Sequence, residues 1–238
     1  MKAVNKLVCA VALAAAGSMV AVAASATPVT MTFDELATSG VGGGQYVADY
    51  YDGGCGVAYH GGPATCGGPD YGVVWTGAAV AQGGLYGLNA PSTPNILVRG
   101  TENNVSGAPI VMNVANGFTD GFSFYYSSTG TVGSVTLYSG LDGTGDVLYT
   151  TGKLAGTPAA CPSHSGLFAC WNLMDDFTFD GVVHSVGFDG PSNRIAWDNV
   201  SFDTRSGSIA VPEPAELGLF GLGLLLVGGF VALRRRTA

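Results

Sequence analysis

The middle of this 238-residue sequence predicts an all-β fold, a jelly-roll-like antiparallel β-sandwich, and three observations carry that reading. Apolar residues come in short runs divided by Gly, Pro, Asn or Asp. No long stretch keeps a helical period. Gly, Ser, Thr, Val and aromatic residues dominate where charges are few. A closed barrel is the alternative way to use the same strands.

Strands are expected at residues 29–33, 73–76, 95–99, 110–114, 121–126, 134–138, 146–151, 176–179, 184–188 and 194–202. In the fifth of these, Phe122, Phe124 and Tyr126 share one face while Ser123 and Tyr125 take the other, so one face is buried. Val135 to Tyr138 and Val147 to Tyr149 read as a hairpin joined through the glycine-rich stretch 140–145. From Gln45 to Gly72 the composition turns to Gly, Tyr and Pro, the least regular part of the domain.

The two ends read differently. Residues 1–26 open with Lys2 and Lys6, continue through an apolar run, and close on Ala24-Ser25-Ala26, the pattern of a secretory signal peptide cut before Thr27. An exported domain is assigned to 27–205 and a linker to 206–211. Leu217 to Leu233 carries no charge over 17 residues, enough for a helix of roughly 25 Å that just crosses a bilayer core. Arg234, Arg235 and Arg236 follow at once and are expected on the cytoplasmic side, which leaves the bulk of the chain on the other.

Val211-Pro212-Glu213-Pro214, the apolar helix and the three arginines, in that order over 211–238, resemble the PEP-CTERM sorting signal. That resemblance implies an exosortase-like membrane protease as a partner, alongside signal peptidase. It also implies a polysaccharide-producing Gram-negative host, and processing at or near Pro-Glu-Pro. The expected route is an inner-membrane intermediate facing the periplasm, then the cell surface or extracellular matrix.

Cys9 lies in the signal segment, leaving Cys55, Cys66, Cys161 and Cys170 in the exported part. An even number in an oxidising compartment points to disulfides. Three pairings are conceivable, and the two short loops, Cys55 with Cys66 and Cys161 with Cys170, are the economical choice. No spacing is C-x-x-C, and His60 and His164 complete no recognisable zinc pattern.

Between Thr27 and Val211 the basic residues are Arg99, Lys153, Arg194 and Arg205, against every carboxylate of the chain except Glu213 and Glu216. That balance repels nucleic acid and anionic lipid, and no basic stripe exists for DNA or RNA. There is no G-x-S-x-G and no H-E-x-x-H, and no phosphate-cradling loop or dinucleotide fingerprint. Glycoside hydrolysis needs two carboxyl groups across a cleft, and the sequence pairs none. No catalytic residue is therefore assigned.

Asp142, Thr144 and Asp146 repeat the oxygen spacing that opens a calcium loop, but Lys153 stands where the bidentate glutamate belongs, so a hairpin turn is expected. Strand parity points elsewhere. Val29, Met31 and Phe33 define an inward face that Glu35 would continue; Phe202, Val200 and Ala196 define one that Asp198 shares. An inward carboxylate must be paired, hydrogen-bonded or metal-bound. The Phe-Asp-Glu-Leu start and the Trp-Asp-Asn-Val-Ser-Phe finish are similar to the terminal strands of jelly-roll carbohydrate-binding modules. That likeness implies that the two ends neighbour each other and that Glu35 and Asp198 hold a structural calcium.

Sugar-binding sandwiches expose aromatic rings, and Tyr50, Tyr51 and Tyr59 in the tyrosine-rich loop are the expected stacking platform. The sequence thus reads as a non-enzymatic surface or matrix protein that associates with extracellular polysaccharide. A secreted hydrolase and a purely structural surface protein are the alternatives.

Overall fold

A computed structural model describes residues 27–38, 44–59, 64–82, 89–100, 109–130, 132–156, 170–192 and 194–204. Among these the fold is all-β: thirteen strands and no helix, arranged in two antiparallel sheets. The strands are β1 (Thr27–Met31), β2 (Gly44–Tyr46), β3 (Val57–Tyr59), β4 (Val73–Thr76), β5 (Ala78–Gln82), β6 (Asn95–Arg99) and β7 (Ile110–Phe118). They continue with β8 (Ser123–Ser128), β9 (Ser134–Tyr138), β10 (Val147–Thr150), β11 (Asn172–Met174), β12 (Val183–Asp189) and β13 (Ile195–Thr204).

The eight-stranded sheet runs β11-β8-β13-β6-β5-β2-β3, with β1 also paired to β13; the five-stranded sheet runs β10-β9-β12-β7-β4. Their inner faces make one core. Phe188 of the smaller sheet meets Trp197 and Phe124 of the larger edge-to-face, at centroid distances of 5.7 and 5.8 Å. This is the β-sandwich expected from the alternation, and Phe122, Phe124 and Tyr126 are all buried in it. The predicted hairpin is also present, with Val147 opposite Tyr138 and Thr150 opposite Thr136.

Residues 176–179, read as a strand, form none. Phe177 and Phe179 bury their rings against the core without joining a ladder, and the strand nearby is β11. The short β2, β3 and β5 lie in Gly- and Ala-rich stretches with too little alternation to signal them.

First and last strands pair, Val29 opposite Phe202 and Met31 opposite Val200. β1 lies against the C-terminal half of β13, and β6 pairs beside it at Trp197–Leu97. The chain leaving β1 must therefore turn where β6 begins. That seam is where the acidic residues gather.

Candidate functional site: an acidic seam between the first and last strands

Two left-handed residues build the seam. Phe33 has φ +64°. Its ring still points into the core, edge-on to Tyr51 and Trp75, and the Leu36 N–H donates to its carbonyl at 3.3 Å. This turn buries Leu36 and leaves Glu35 exposed. The expected inward continuation from Phe33 to Glu35 is therefore corrected, because alternation stops where the backbone leaves the β region.

Asn199 has φ +46° and sits in a bulge, where the β13–β8 register shifts between Asp198 and Ser201. One extra residue reverses parity. Val200 and Phe202 face the core together with Ile195 and Trp197, whereas Ala196 belongs to a second apolar cluster with Ile96, Val98 and Trp171. Asp198 therefore shares Ala196's side, opposite to Val200 and Phe202, which corrects the expectation that it joins their inward face.

There Asp198 is 0% exposed. Its Oδ2 accepts from the Ser92 N–H at 3.1 Å, and its Oδ1 accepts from the Asn199 N–H at 2.8 Å and the Ser92 hydroxyl at 3.2 Å. Burial pushes its carboxyl up to about 7; the Ser92 and Asn199 hydrogen bonds oppose that shift, and nearby Asp34 adds to it. Asp34 in turn accepts the Asn95 N–H at 2.7 Å. Asn95, fully buried, donates its side-chain amide to the carbonyls of Phe33 and Leu36 at 2.9 and 2.6 Å, which fixes the turn to the start of β6. The Asn199 Oδ1 is buried with no hydrogen-bond partner.

Glu35 stands apart from this group. Its Oε2 accepts from the Tyr51 hydroxyl at 3.0 Å, while that same hydroxyl accepts from the Phe33 N–H at 3.0 Å. Burial, and then the Glu35 charge, raise the Tyr51 phenol far above its ordinary value, so it stays a donor. Among the described residues no group of three or more His, Cys, Asp or Glu side chains converges as a metal-ligand set. The carboxylate that neighbours Asp198 is Asp34, not Glu35.

The expected aromatic platform is also corrected. Tyr50 is 6% and Tyr51 1% exposed, both part of the core, and their rings meet edge-to-face at 5.1 Å. Tyr71, at 36%, is the exposed ring here, stacked on Tyr51 at 6.1 Å. Tyr59 closes β3 opposite Gly44, and its side chain lies outside the described part.

Cys55 and Cys66 form a disulfide across an isolated bridge, as expected from their short loop. Cys170 is buried and disulfide-bonded, while Cys161 lies outside the described residues. So do Val211 to Pro214, the apolar run and Arg234 to Arg236. Among the described residues no helix is long and apolar enough to cross a membrane.

Sequence reasoning missed Asp34, Ser92 and Asn95. The signal available for Asp34 was its place beside Glu35 in Phe-Asp-Glu-Leu; nothing local marked Ser92, in the stretch before β6, or Asn95, the first residue of β6, which is 61 residues from Asp34 in sequence.

No family model matches the chain, and no curated protein matches it. Among solved structures, the fold is similar to the K2 cleaved adhesin domain of Lys-gingipain, at 11% identity and a TM-score of 0.42, over 75% of this chain and 100% of that one.

Proposed function

We propose that this chain is an exported, exosortase-sorted surface or matrix protein whose jelly-roll-like sandwich associates with extracellular polysaccharide without cleaving it. The observation that carries the reading is the disulfide-closed β-sandwich, with Cys55 joined to Cys66, in a chain that also bears the Val-Pro-Glu-Pro, helix and arginine pattern. Disulfides persist outside the reducing cytoplasm, so the bridge and the sorting pattern point the same way.

The seam supports a structural role for its carboxylates, with calcium as their partner. Asp198 and Asp34 place two carboxyl groups near each other, and Asn199, next in the chain after Asp198, carries an amide oxygen buried without a donor. Calcium takes such oxygens in flexible geometry. Asp34 and Asp198 would hold it, with the Asn199 amide oxygen as a further ligand; the ion supplies charge balance to two carboxylates on the joint between first and last strands. Glu35 has no part in this set.

One observation favours the hydrolase alternative: a carboxyl held near 7 beside a second one is the pattern of an acid–base pair. Against it, Asp198 is fully buried and already accepts from Ser92 and Asn199, so no substrate reaches it. The experiment is co-sedimentation of the full chain with the host's matrix polysaccharide, followed by assay of the same mixture for new reducing ends. Retention without new ends is expected. New ends would move the protein to the hydrolases, and no retention would leave the purely structural reading.

A further inference from the structure

We propose that the outer face of the five-stranded sheet carries a groove for a neutral sugar ring, an inference that rests on the polysaccharide association above and gives it a location. The groove is lined by Thr76, Pro109, Val111, Tyr138, Asp142 and Gly187, and encloses about 280 Å³. That is just below the roughly 300–1,000 Å³ usual for small-ligand sites, a size for one ring rather than a large cofactor.

Its floor follows from the strand pattern. On β12, Val186 and Phe188 enter the core, so Gly187 faces outward from the middle of the sheet, between Val111 of β7 and Thr136 of β9. A side chain there would fill the space: a Cβ would come within 3.3 Å of the Tyr138 ring. An isolated glycine inside a central strand costs stability and marks a place where something approaches the backbone closely. Tyr138 leans across this floor as one wall, with Val111 and Pro109 as further apolar surface.

The hairpin loop between β9 and β10 supplies the polar wall, and it is held in place by the sheet beneath. Asn113 and Asp142 exchange two bonds, Asn113 Nδ2–H to Asp142 Oδ1 at 2.7 Å and Asp142 N–H to Asn113 Oδ1 at 2.8 Å. Ser185 accepts from the Gly143 N–H at 3.0 Å and donates to the Gly140 carbonyl at 2.5 Å. Asp142 is thus fixed in an exposed position, and among the described residues its second carboxylate oxygen has no donor. The Tyr138 hydroxyl likewise has no partner among them.

This combination selects the ligand class. A sugar ring has an apolar C–H face that packs on Tyr138 and Val111, and hydroxyls that donate to the Asp142 carboxylate and exchange with Thr76; a hydroxyl donated to a charged acceptor is among the stronger hydrogen bonds. Among the described residues the lining holds a carboxylate and no Lys, Arg or His, which disfavours phosphates and uronates. β4 is the edge strand of its sheet, so among the described residues no strand follows Thr76 and Gly77 at that side of the groove, the side along which a polymer would continue.

The test titrates the full chain in detergent micelles with cellohexaose, maltohexaose, xylohexaose and a neutral fraction of the host's matrix polysaccharide, with oligogalacturonate as the anionic probe, following amide resonances by NMR. Tyr138→Ala and Gly187→Val are compared with the parent chain, and thermal melting confirms that each folds. The expected result is that a neutral glycan shifts the Gly143 and Gly187 amides and that Tyr138→Ala and Gly187→Val each weaken binding at least tenfold, without oligogalacturonate binding. Should Gly187→Val fail to fold, Tyr138→Ala alone decides. Glycan binding unchanged by the folded variants would overturn the groove while leaving polysaccharide association intact. Oligogalacturonate binding at the same amides would overturn the neutral assignment, and no glycan binding to the parent chain would overturn both readings.

Discussion

Asp198 lies on the outer side of the larger sheet and Asp142 above the outer side of the smaller one, and what surrounds them differs completely. Asp198 sits beneath the loop carrying Ser92, with backbone and hydroxyl donors on both oxygens. Asp142 is exposed, and a single oxygen is engaged, by Asn113. A buried carboxylate with donors on both oxygens braces the strands and is closed to anything larger than an ion; an exposed one on an immobilised loop is open to a larger ligand. Burial and the hydrogen-bond inventory, more than residue type, separate a brace from a site.

The largest effect that sharpens this contrast is pH. The folded-state pKa of Asp198, about 7, exceeds its ordinary value of 3.8, so the folded form binds the extra proton between those values. Without added calcium, the contribution of Asp198 is therefore fully present below pH 3.8 and is lost as pH rises through 7. At about 1.4 kcal/mol per pH unit this amounts to about 4 kcal/mol. Urea unfolding at a series of pH values should show that slope for the parent chain and a flattened one for Asp198→Asn. Equal slopes in the two would erase the distinction.

Next in size is truncation. Asp198→Ala strands the Ser92 and Asn199 N–H groups and should cost about 3 kcal/mol in denaturant unfolding at pH 5.5. The matching change at exposed Asp142 should cost about 1 kcal/mol or less.

A smaller effect separates the two candidate calcium partners of Asp198. Calcium at a hundredfold excess over its dissociation constant should stabilise the chain by about 2.7 kcal/mol, read as a rise in Tm. Asp34→Asn should abolish the rise and Glu35→Gln should leave it. The reverse pattern would restore Glu35 as ligand, and a Tm indifferent to calcium and chelator would leave hydrogen bonds alone to hold the seam.

The sandwich was legible because its core strands alternate cleanly: Phe122, Phe124 and Tyr126 on β8, and Val135 and Leu137 on β9, are apolar at every second position and buried. The seam was legible only as far as its location, since the acidic residues that meet there lie just after the first strand and on the last. Which side of the sheet each carboxylate takes was hidden, because the parity argument assumes an unbroken strand and neither Phe33 nor Asn199 advertises a left-handed backbone as a glycine would. Tyr50 and Tyr51 misled for a related reason. A tyrosine in a glycine-rich stretch reads as exposed, yet here the loop folds back and inserts both rings into the core. The groove had one trace in the sequence, Gly187 between Val186 and Phe188, where a strand pattern is interrupted by a residue that packs nothing.

The proposed export and sorting are reached directly by one measurement: non-reducing intact mass of the protein recovered from the surface or matrix of its native host. The predicted mass lacks residues 1–26 and the segment beyond the Pro-Glu-Pro, including Arg234 to Arg236, and is further reduced by two hydrogens for the Cys55–Cys66 disulfide and two for the disulfide that holds Cys170. Surface material that retained both ends would contradict the account.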